Sequence, residues 1–518
     1  MTLPPLIRAL LNPAVYPHPT ENLRYRETHI SWVILTGPYA YKLKKPVDFG
    51  FLDFSTLEKR RFYCHEELRL NRRLAPQLYL AVVTVTGTPQ APRLDGDGEP
   101  LEYAVKMRQF ADRDLLSRMA EEGRLRESHL ETLAARIARF HESVARASAG
   151  DPYGEPQTIQ SAALQNFQSI DARALDPARA TRLDALRRWT EAAFERLASC
   201  MARRKRDGWV RECHGDLHLG NIVLWQGEPL PFDCIEFNPQ LRWIDVISEI
   251  AFTVMDLAAR GRRPLGFLFL NDWLSLTGDY DGVRLLRYYL IYRAMVRAKI
   301  AWLSARQHPK DRRSLDECAR YLDLAEDFRQ SRRPLLLVTH GFSGSGKSYA
   351  SRRLATRLGA IHLRSDVERK RLAGLPAGAR TDAGLERGIY EADFTRRTYA
   401  KLLRDAETIL AAGWPVIVDA TFLRREYRRW FQALAERLHV PWRLLDFQAD
   451  ETVLRARIEQ RLRQRRDPSE ADLQVLAYQQ QHHQPLNAEE RARAVPIDTN
   501  RGFDVEAVLQ YLNSRGSS

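Results

Sequence analysis

Apolar and polar positions change their rhythm several times along this chain, and each rhythm predicts an element. Ile30, Trp32 and Ile34 alternate with His29, Ser31 and Val33, which predicts a strand. Thr36-Gly37-Pro38 predicts a turn, and Tyr39–Lys44 the return strand, with Ala40 and Lys42 on one face because side chains alternate with period two. Lys44 and Lys45 read as lysines protecting a sheet edge. Ser55-Thr56-Leu57-Glu58 has the capping-box pattern, so a helix should run from there to about Ala75, where Pro76 stops it. Strand-like stretches follow at Leu78–Val85 and Glu102–Met107. Helical spacing fills residues 113–205 around one loop, Ala149–Thr158, and returns from Trp243 to about Gln330. After a polar, basic linker at Arg329–Pro334 come a buried strand at Leu335–Thr339, a helix from Tyr349 to about Leu358, and further strands at Ile361–Leu363 and Pro415–Asp419. The pattern predicts α+β followed by α/β, with domains at 1–330 (small lobe about 1–110, large lobe about 111–330) and 331–518.

Composition narrows the class. A chain of 518 residues needs more than one domain. No apolar run reaches membrane-spanning length, and the N-terminus lacks the pattern of a secretory leader. Five cysteines (Cys64, Cys200, Cys213, Cys234, Cys318) stand apart with no CxxC, which argues against a zinc site or a disulfide framework and for a reducing cytoplasm. Beside the acidic site, Cys213 and Cys234 read as buried packing. The net charge of +14 is uneven: residues 331–518 hold 32 Lys and Arg against 23 Asp and Glu, leaving 48 against 43 for residues 1–330. A phosphate-binding site accounts for part of that excess. Solvated arginine-rich helix faces, or a nucleic-acid partner, are the alternatives for the rest.

Two stretches carry chemistry. The first is His214-Gly215-Asp216-Leu217-His218-Leu219-Gly220-Asn221, followed by Asp233 at the end of a short strand. Phosphoryl transfer needs a carboxylate to orient the attacking hydroxyl, and Asp216 suits that role. Magnesium takes hard oxygen ligands, and Asn221 and Asp233 supply them. Lys42 is placed to clamp phosphate. Glu66 and Glu67 both lie on the first helix as partners for it; periodicity does not separate them, and the spacing to Leu74 selects Glu67. Asp245 is expected to brace the Asp216 loop, with a simple helix cap as the alternative.

The second stretch is Gly341-Phe342-Ser343-Gly344-Ser345-Gly346-Lys347-Ser348, G-x-x-x-x-G-K-S between a strand and a helix. Its backbone N–H groups would cradle phosphates, Lys347 would face outward to the terminal phosphates, and Ser348 would bind magnesium. Asp366 ends a strand with Arg369 three residues on, which suits a base for a hydroxyl proton and a cation beside it. Asp419 closes another buried strand, a position for water-mediated magnesium binding. Arg457 and Arg461 share a helix face and would close over the transferred phosphate, whereas Arg463, Arg465 and Arg466 read as a solvated face.

On Lys42, Asp216-x-x-x-x-Asn221 and Asp233, residues 25–300 resemble the aminoglycoside and choline phosphotransferase branch of the protein-kinase-like fold, a two-lobed architecture. The resemblance implies a crossover between lobes at Val105–Phe110 that meets adenine. The chain departs from protein kinases in lacking a G-x-G-x-x-G loop and an activation segment, which implies a small-molecule acceptor. Residues 334–515 resemble P-loop kinases of small substrates, and the Asp366–Arg369 pair resembles the acceptor site of polynucleotide 5′-kinases and zeta-toxin-like kinases. The whole resembles a bacterial family of fused proteins, a phosphotransferase-like domain followed by a P-loop ATPase domain. It implies ATP or GTP with Mg2+, a hydroxyl-bearing acceptor, and two kinase folds in tandem. A nucleic-acid 5′-hydroxyl kinase, or a metabolite-binding N-terminal domain coupled to P-loop hydrolysis, competes with that reading.

Overall fold

The computed structural model describes residues 3–50, 52–307, 312–330, 334–377, 379, 391–464, 469 and 471–514. By packing, the chain divides into one unit of residues 1–168 with 191–256 and a second of residues 169–190 with 257–518. Of the residues singled out above, Arg465, Arg466 and linker residues 331–333 lie outside the described residues.

The first unit holds a six-stranded antiparallel sheet. Its strands are β1 (Arg24–Glu27), β2 (Ser31–Leu35), β3 (Tyr39–Lys44), β4 (Tyr79–Thr88), β5 (Ala91–Leu94) and β6 (Glu102–Arg108), in the order β1-β2-β3-β6-β4-β5. β1 and β5 have no apolar alternation of their own and were not predicted; their burial is slight. β3 lies inside the sheet, so Lys44 is no edge guard. It is 1% exposed, and only Lys45 keeps a surface pair, with Glu27. On β3 the period of two sorts side chains sharply: Tyr41 and Leu43 pack with Ile7, Leu10 and Ile34, while Ala40 packs on the other face with Cys64, Val105 and Leu230.

The helix Leu57–Arg72 packs on the sheet face that holds Ala40. Its N-cap is Thr56, whose hydroxyl accepts from the Lys59 N–H, not Ser55 as the capping pattern suggested. It also stops a turn early, at Arg72. Trp243–Asp245, read from spacing as helix, instead forms a short strand, β10, antiparallel to β7 (Val210–Glu212); the helix begins only at Val246. The acidic segment runs from β7 into the hairpin of β8 (Ile222–Trp225) and β9 (Glu228–Pro231).

In the second unit five parallel strands form one sheet: β11 (Leu336–His340), β12 (Ile361–Arg364), β13 (Val416–Asp419), β14 (Trp442–Gln448) and β15 (Ala494–Asp498), ordered β12-β13-β11-β14-β15. β11 and β13 are buried throughout, which explains their unbroken apolar runs. β14 and β15 mix apolar and polar residues and were not predicted. The helix Arg263–Thr277 packs beside β12, where Asn271 donates to the Ala360 carbonyl and accepts from the His362 N–H, both at 2.9 Å. An edge strand's open backbone groups are thereby satisfied by a side-chain amide. Among the described residues no helix is long and apolar enough to cross a membrane.

Candidate active sites

In the first unit, charge is assembled from four separate stretches. Lys42 Nζ donates to Glu67 Oε1 at 2.8 Å and forms an ion pair with Asp233. Glu67, on the helix, is fully buried, and its other oxygen accepts from Lys44 Nζ at 2.7 Å. Lys44 pairs in turn with Glu236. Glu66 lies elsewhere, paired with Arg69 and Arg242.

Burial alone would push the Lys42 ammonium down, but the carboxylates of Asp233 and Glu67 outweigh it and raise it well above the ordinary lysine value. Burial likewise opposes the charge on Glu67, yet the two lysines hold its carboxyl down at about 2. The Asp233 side chain remains 43% exposed, with its backbone at φ 63° and its N–H donating to Tyr79 Oη. A non-glycine residue in the left-handed region is held there by its surroundings.

Asn221 Nδ2 donates to Asp216 Oδ2 at 2.9 Å and to the Asp216 carbonyl at 3.1 Å. The Phe232 N–H donates to the Asn221 carbonyl at 2.9 Å, which ties the Asp216 loop to the residue before Asp233. His214 Nε2 bonds the Phe232 carbonyl, and its Nδ1 accepts from the Asp216 N–H; burial pushes its pKa down and keeps the ring neutral. Gly215 has φ 88°, and a Cβ there would meet the Leu241 carbonyl at 2.7 Å, so only glycine fits.

Asp245 does not brace this loop. It takes a bidentate pair from Arg204 and caps the Ile247 N–H. The brace is the next helix, Val246–Ala259, an apolar helix with a polar stripe at Glu249, Thr253 and Asp256. Glu249 accepts from the His214 and Gly215 N–H groups, Thr253 donates to the Leu217 carbonyl, and Asp256 accepts from the Leu219 N–H. His141 pairs with the other oxygen of Glu249 at 2.7 Å. Burial opposes the Glu249 charge, but these donors hold its carboxyl at about 2. The stripe at spacings of four and three was readable in the sequence, but no motif marks it. Glu249 also lies in a buried group with His141 and Cys213, where His141 pairs with the Glu249 carboxylate and the Cys213 thiol donates to the Ile244 carbonyl.

In the second unit the site is nearly contiguous. The loop Gly341–Gly346 leads into the helix Lys347–Leu358. Gly341 has φ 141°, and a Cβ there would lie 2.6 Å from the Phe447 carbonyl. Lys347 does not face solvent: it is 8% exposed, and its Nζ donates to the carbonyls of Gly341 (2.9 Å) and Phe342 (2.6 Å) and to Ser345 Oγ (3.3 Å). Burial among these neutral oxygens pushes its pKa down to about 8. The Ser343 N–H and hydroxyl are both held by the Gln479 amide, a contact that no motif announces.

Asp419 is buried; burial opposes its charge, but the His362 ring at 3.3 Å, Arg364 and the Ser348 hydroxyl hold its carboxyl below the usual range. A cavity of about 430 Å³ is lined by Gly344, Gly346, Lys347, Ser348, Asp366, Arg369, Asp419, Arg457 and Arg461. Arg369 donates to Thr395 Oγ1 at 3.0 Å, and among the described residues no ion pair engages Asp366. Arg457 grips Thr499 and the Gly344 carbonyl, Arg461 the Ala471 carbonyl, and Arg463 is an exposed partner of Glu459.

A kinase-like fold with an acidic loop, and a parallel-sheet P-loop fold with its own carboxylates, together define an ATP-dependent phosphotransferase. Comparison with known proteins agrees. A model of the phosphotransferase enzyme family matches residues 58–286, and a model of an AAA domain matches residues 336–486. Uncharacterized proteins of Mycobacterium tuberculosis and Mycobacterium bovis are each 32% identical over 440 residues, covering 83% of this chain and 86% of their own. The chain belongs to the same family as these mycobacterial proteins, and in it a phosphotransferase enzyme family domain precedes an AAA-type P-loop kinase domain. Among solved structures, a choline/ethanolamine kinase family protein from Mesorhizobium loti is 13% identical, covering 63% of this chain and 97% of its own, with a TM-score of 0.39. A gluconokinase from Sinorhizobium meliloti is 24% identical, covering 35% of this chain and 90% of its own, with a TM-score of 0.24.

Proposed function

We propose that the chain is a tandem kinase in the cytoplasm, with one site in residues 1–330 and another in residues 331–518, each moving the terminal phosphate of ATP or GTP to a hydroxyl. The observation that carries this is the second unit's cavity, which gathers a phosphate-binding loop, Lys347, Ser348 and Asp419 with a carboxylate and guanidinium, Asp366 and Arg369, around one space. There Asp366 takes the proton of the acceptor hydroxyl as its oxygen bonds to the terminal phosphorus. The bond from that phosphorus to the bridging oxygen breaks, and the nucleoside diphosphate leaves. Lys347, Arg369, Arg457 and Arg461 are the cations that balance charge on the phosphoryl oxygens.

In the first unit Asp216 orients the acceptor hydroxyl, and Lys42, set by Glu67, holds the nucleotide phosphates. The donors in both sites are hard oxygens, which fit magnesium: Asn221 and Asp233 in the first, Ser348 and Asp419 in the second. When bound, the ion would screen the phosphate charge. A small-molecule acceptor is the first reading. Arg424 on the cavity wall and the basic excess of residues 331–518 favour a second, a nucleic-acid 5′-hydroxyl.

The test is a phosphate-transfer screen over hydroxyl metabolites, nucleosides and oligonucleotide ends, with Lys347→Ala and Asp216→Asn proteins disabling one site each. Product formed by wild type and lost in only one variant assigns that acceptor to that site. Transfer to every acceptor that survives both single variants would overturn the assignment. Steep loss of oligonucleotide binding with added salt would favour nucleic acid.

A further inference from the structure

Two cations and three carboxylates meet behind the acidic loop of the first unit: Lys42 and Lys44 with Glu67, Glu236 and Asp233. Glu67 divides its two oxygens between the two lysines. Lys44 spans from that carboxylate to Glu236, three residues beyond Asp233, and its ammonium also lies 4.7 Å from the centre of the Phe54 ring. Glu236 is anchored from behind, its carbonyl accepting from Arg242 Nη1 at 3.1 Å. The same helix reaches the segment a second time, through Asn71 Oδ1, which accepts from the Cys234 N–H at 2.9 Å.

Lys44 and Glu236 are both nearly inaccessible, at 1% and 4%. They touch neither Asp216 nor Asn221, so they are not placed to meet a substrate. A buried ion pair contributes little to net stability, since desolvation offsets its attraction. Its geometry is what is informative. Without Lys44, Glu67 and Glu236 would confront each other as like charges, and the segment that sets Asp233 would keep its backbone contact with Asn71 but lose its charged link to the helix that sets Lys42. With Lys44 present, one negative charge is left over in the cluster, and the exposed carboxylate in it is Asp233.

We propose that Lys44 and Glu236 form a positioning pair that locks Glu67 to the Asp233 segment, so that Lys42 and the metal-facing carboxylate keep a fixed separation. The pair acts through Glu67 and through the backbone between Asp233 and Glu236, not on the nucleotide itself. This rests on the reading of the first unit as a magnesium-nucleotide site.

The full-length chain carrying Lys347→Ala serves as the parent, and magnesium-ATP titration followed by calorimetry is the measurement. The signal counted is the part that Asp233→Ala removes. Three proteins are compared with it: Lys44→Arg, Lys44→Met, and the double variant Lys44→Met with Glu236→Gln. Lys44→Met strands a carboxylate pair and should lower the thermal midpoint. The double variant removes both charges and should recover that midpoint. The proposal expects the double variant to bind magnesium-ATP about tenfold or more weaker than the parent despite its recovered stability, the scale seen when residues supporting a metal ligand are lost. Lys44→Arg, which keeps the charge, should fall between. Parent-like affinity in the double variant would overturn the proposal, as would affinity that merely follows the thermal midpoint across all three. A parent with no magnesium-dependent signal sensitive to Asp233→Ala would overturn the reading of the site, and the proposal with it.

Discussion

Three lysines serve the two sites, Lys44 and Lys347 buried and Lys42 partly so, and the protein treats them in opposite ways. In the first unit Lys42 and Lys44 are matched by resident carboxylates, and their ammonium groups are raised above the ordinary lysine value. In the second, Lys347 is also withdrawn from water but hydrogen-bonds only neutral oxygens, and its pKa is pushed down to about 8. One site stores its charge in an internal lattice of ion pairs; the other keeps a cation at a desolvation cost that phosphate oxygens would relieve. The first arrangement depends on three distant stretches staying in register. The second depends on one loop and the helix that follows it.

Breaking the loop site should have the largest effect. Lys347→Ala is expected to lower nucleotide turnover by about a thousandfold, the scale of removing a positioned cation from developing phosphoryl charge. Steady-state phosphate release checks it, and unchanged turnover would place hydrolysis elsewhere. Asp366→Asn should keep nucleotide binding while transfer falls by about a hundredfold, as for loss of a positioned general base. Loss of nucleotide affinity in that variant would mark Asp366 as structural.

In the first unit, acid should do the damage. Glu67 and Glu249 are held at about 2 in the folded chain, below their usual value. A carboxyl depressed by folding contributes stability that is present above the unfolded value, near 4.5, and disappears as pH falls through the folded one. Thermal melting followed from pH 6 to pH 2 should therefore show the first unit losing stability across the window from about 4.5 to about 2. Glu249→Gln should flatten part of that slope; an unchanged slope would mean the brace carries no linked charge.

The smallest effect should have the opposite sign. Lys347→Met removes an ammonium whose burial is poorly compensated, so the second unit should gain about 1 kcal/mol in denaturant unfolding even as turnover is lost. Lys42→Met should instead destabilise the first unit by about 3 kcal/mol, because it strands Glu67 and Asp233 beside a single remaining lysine. If both substitutions moved stability in the same direction, the contrast between the sites would fail.

Much of this was readable before the fold was known, and for a physical reason. Segments whose chemistry is local in sequence announce themselves. The loop from Gly341 to Ser348 does so because a phosphate cradle is made of consecutive backbone groups between one strand and one helix. The run from Asp216 to Asn221 does so because its spacing is fixed within one turn of chain. The alternation around Ile34 and the apolar run at Leu336–Val338 carry their strands because burial on one face or on both dictates composition.

What the linear pattern misjudged was set by neighbours distant in the chain. Lys44 looked like an edge residue until β6 paired beside β3 and buried it against Glu67 and Glu236. Trp243–Asp245 has helical spacing but lies where β7 offers a backbone partner. β14 is a strand because the sheet accepts it and not because its sequence alternates, while β15 alternates only from Val495 to Asp498, too short a run to stand out in the sequence. The brace on the acidic loop fell to Glu249 rather than Asp245 because Arg204, 41 positions away, claims both oxygens of Asp245. The sequence alone determined which groups could bind phosphate and which segments could span a sheet. Only the tertiary structure decided which charges meet, because an ion pair depends on distance in space, and Lys42 meets Glu67 25 positions away and Asp233 191 positions away.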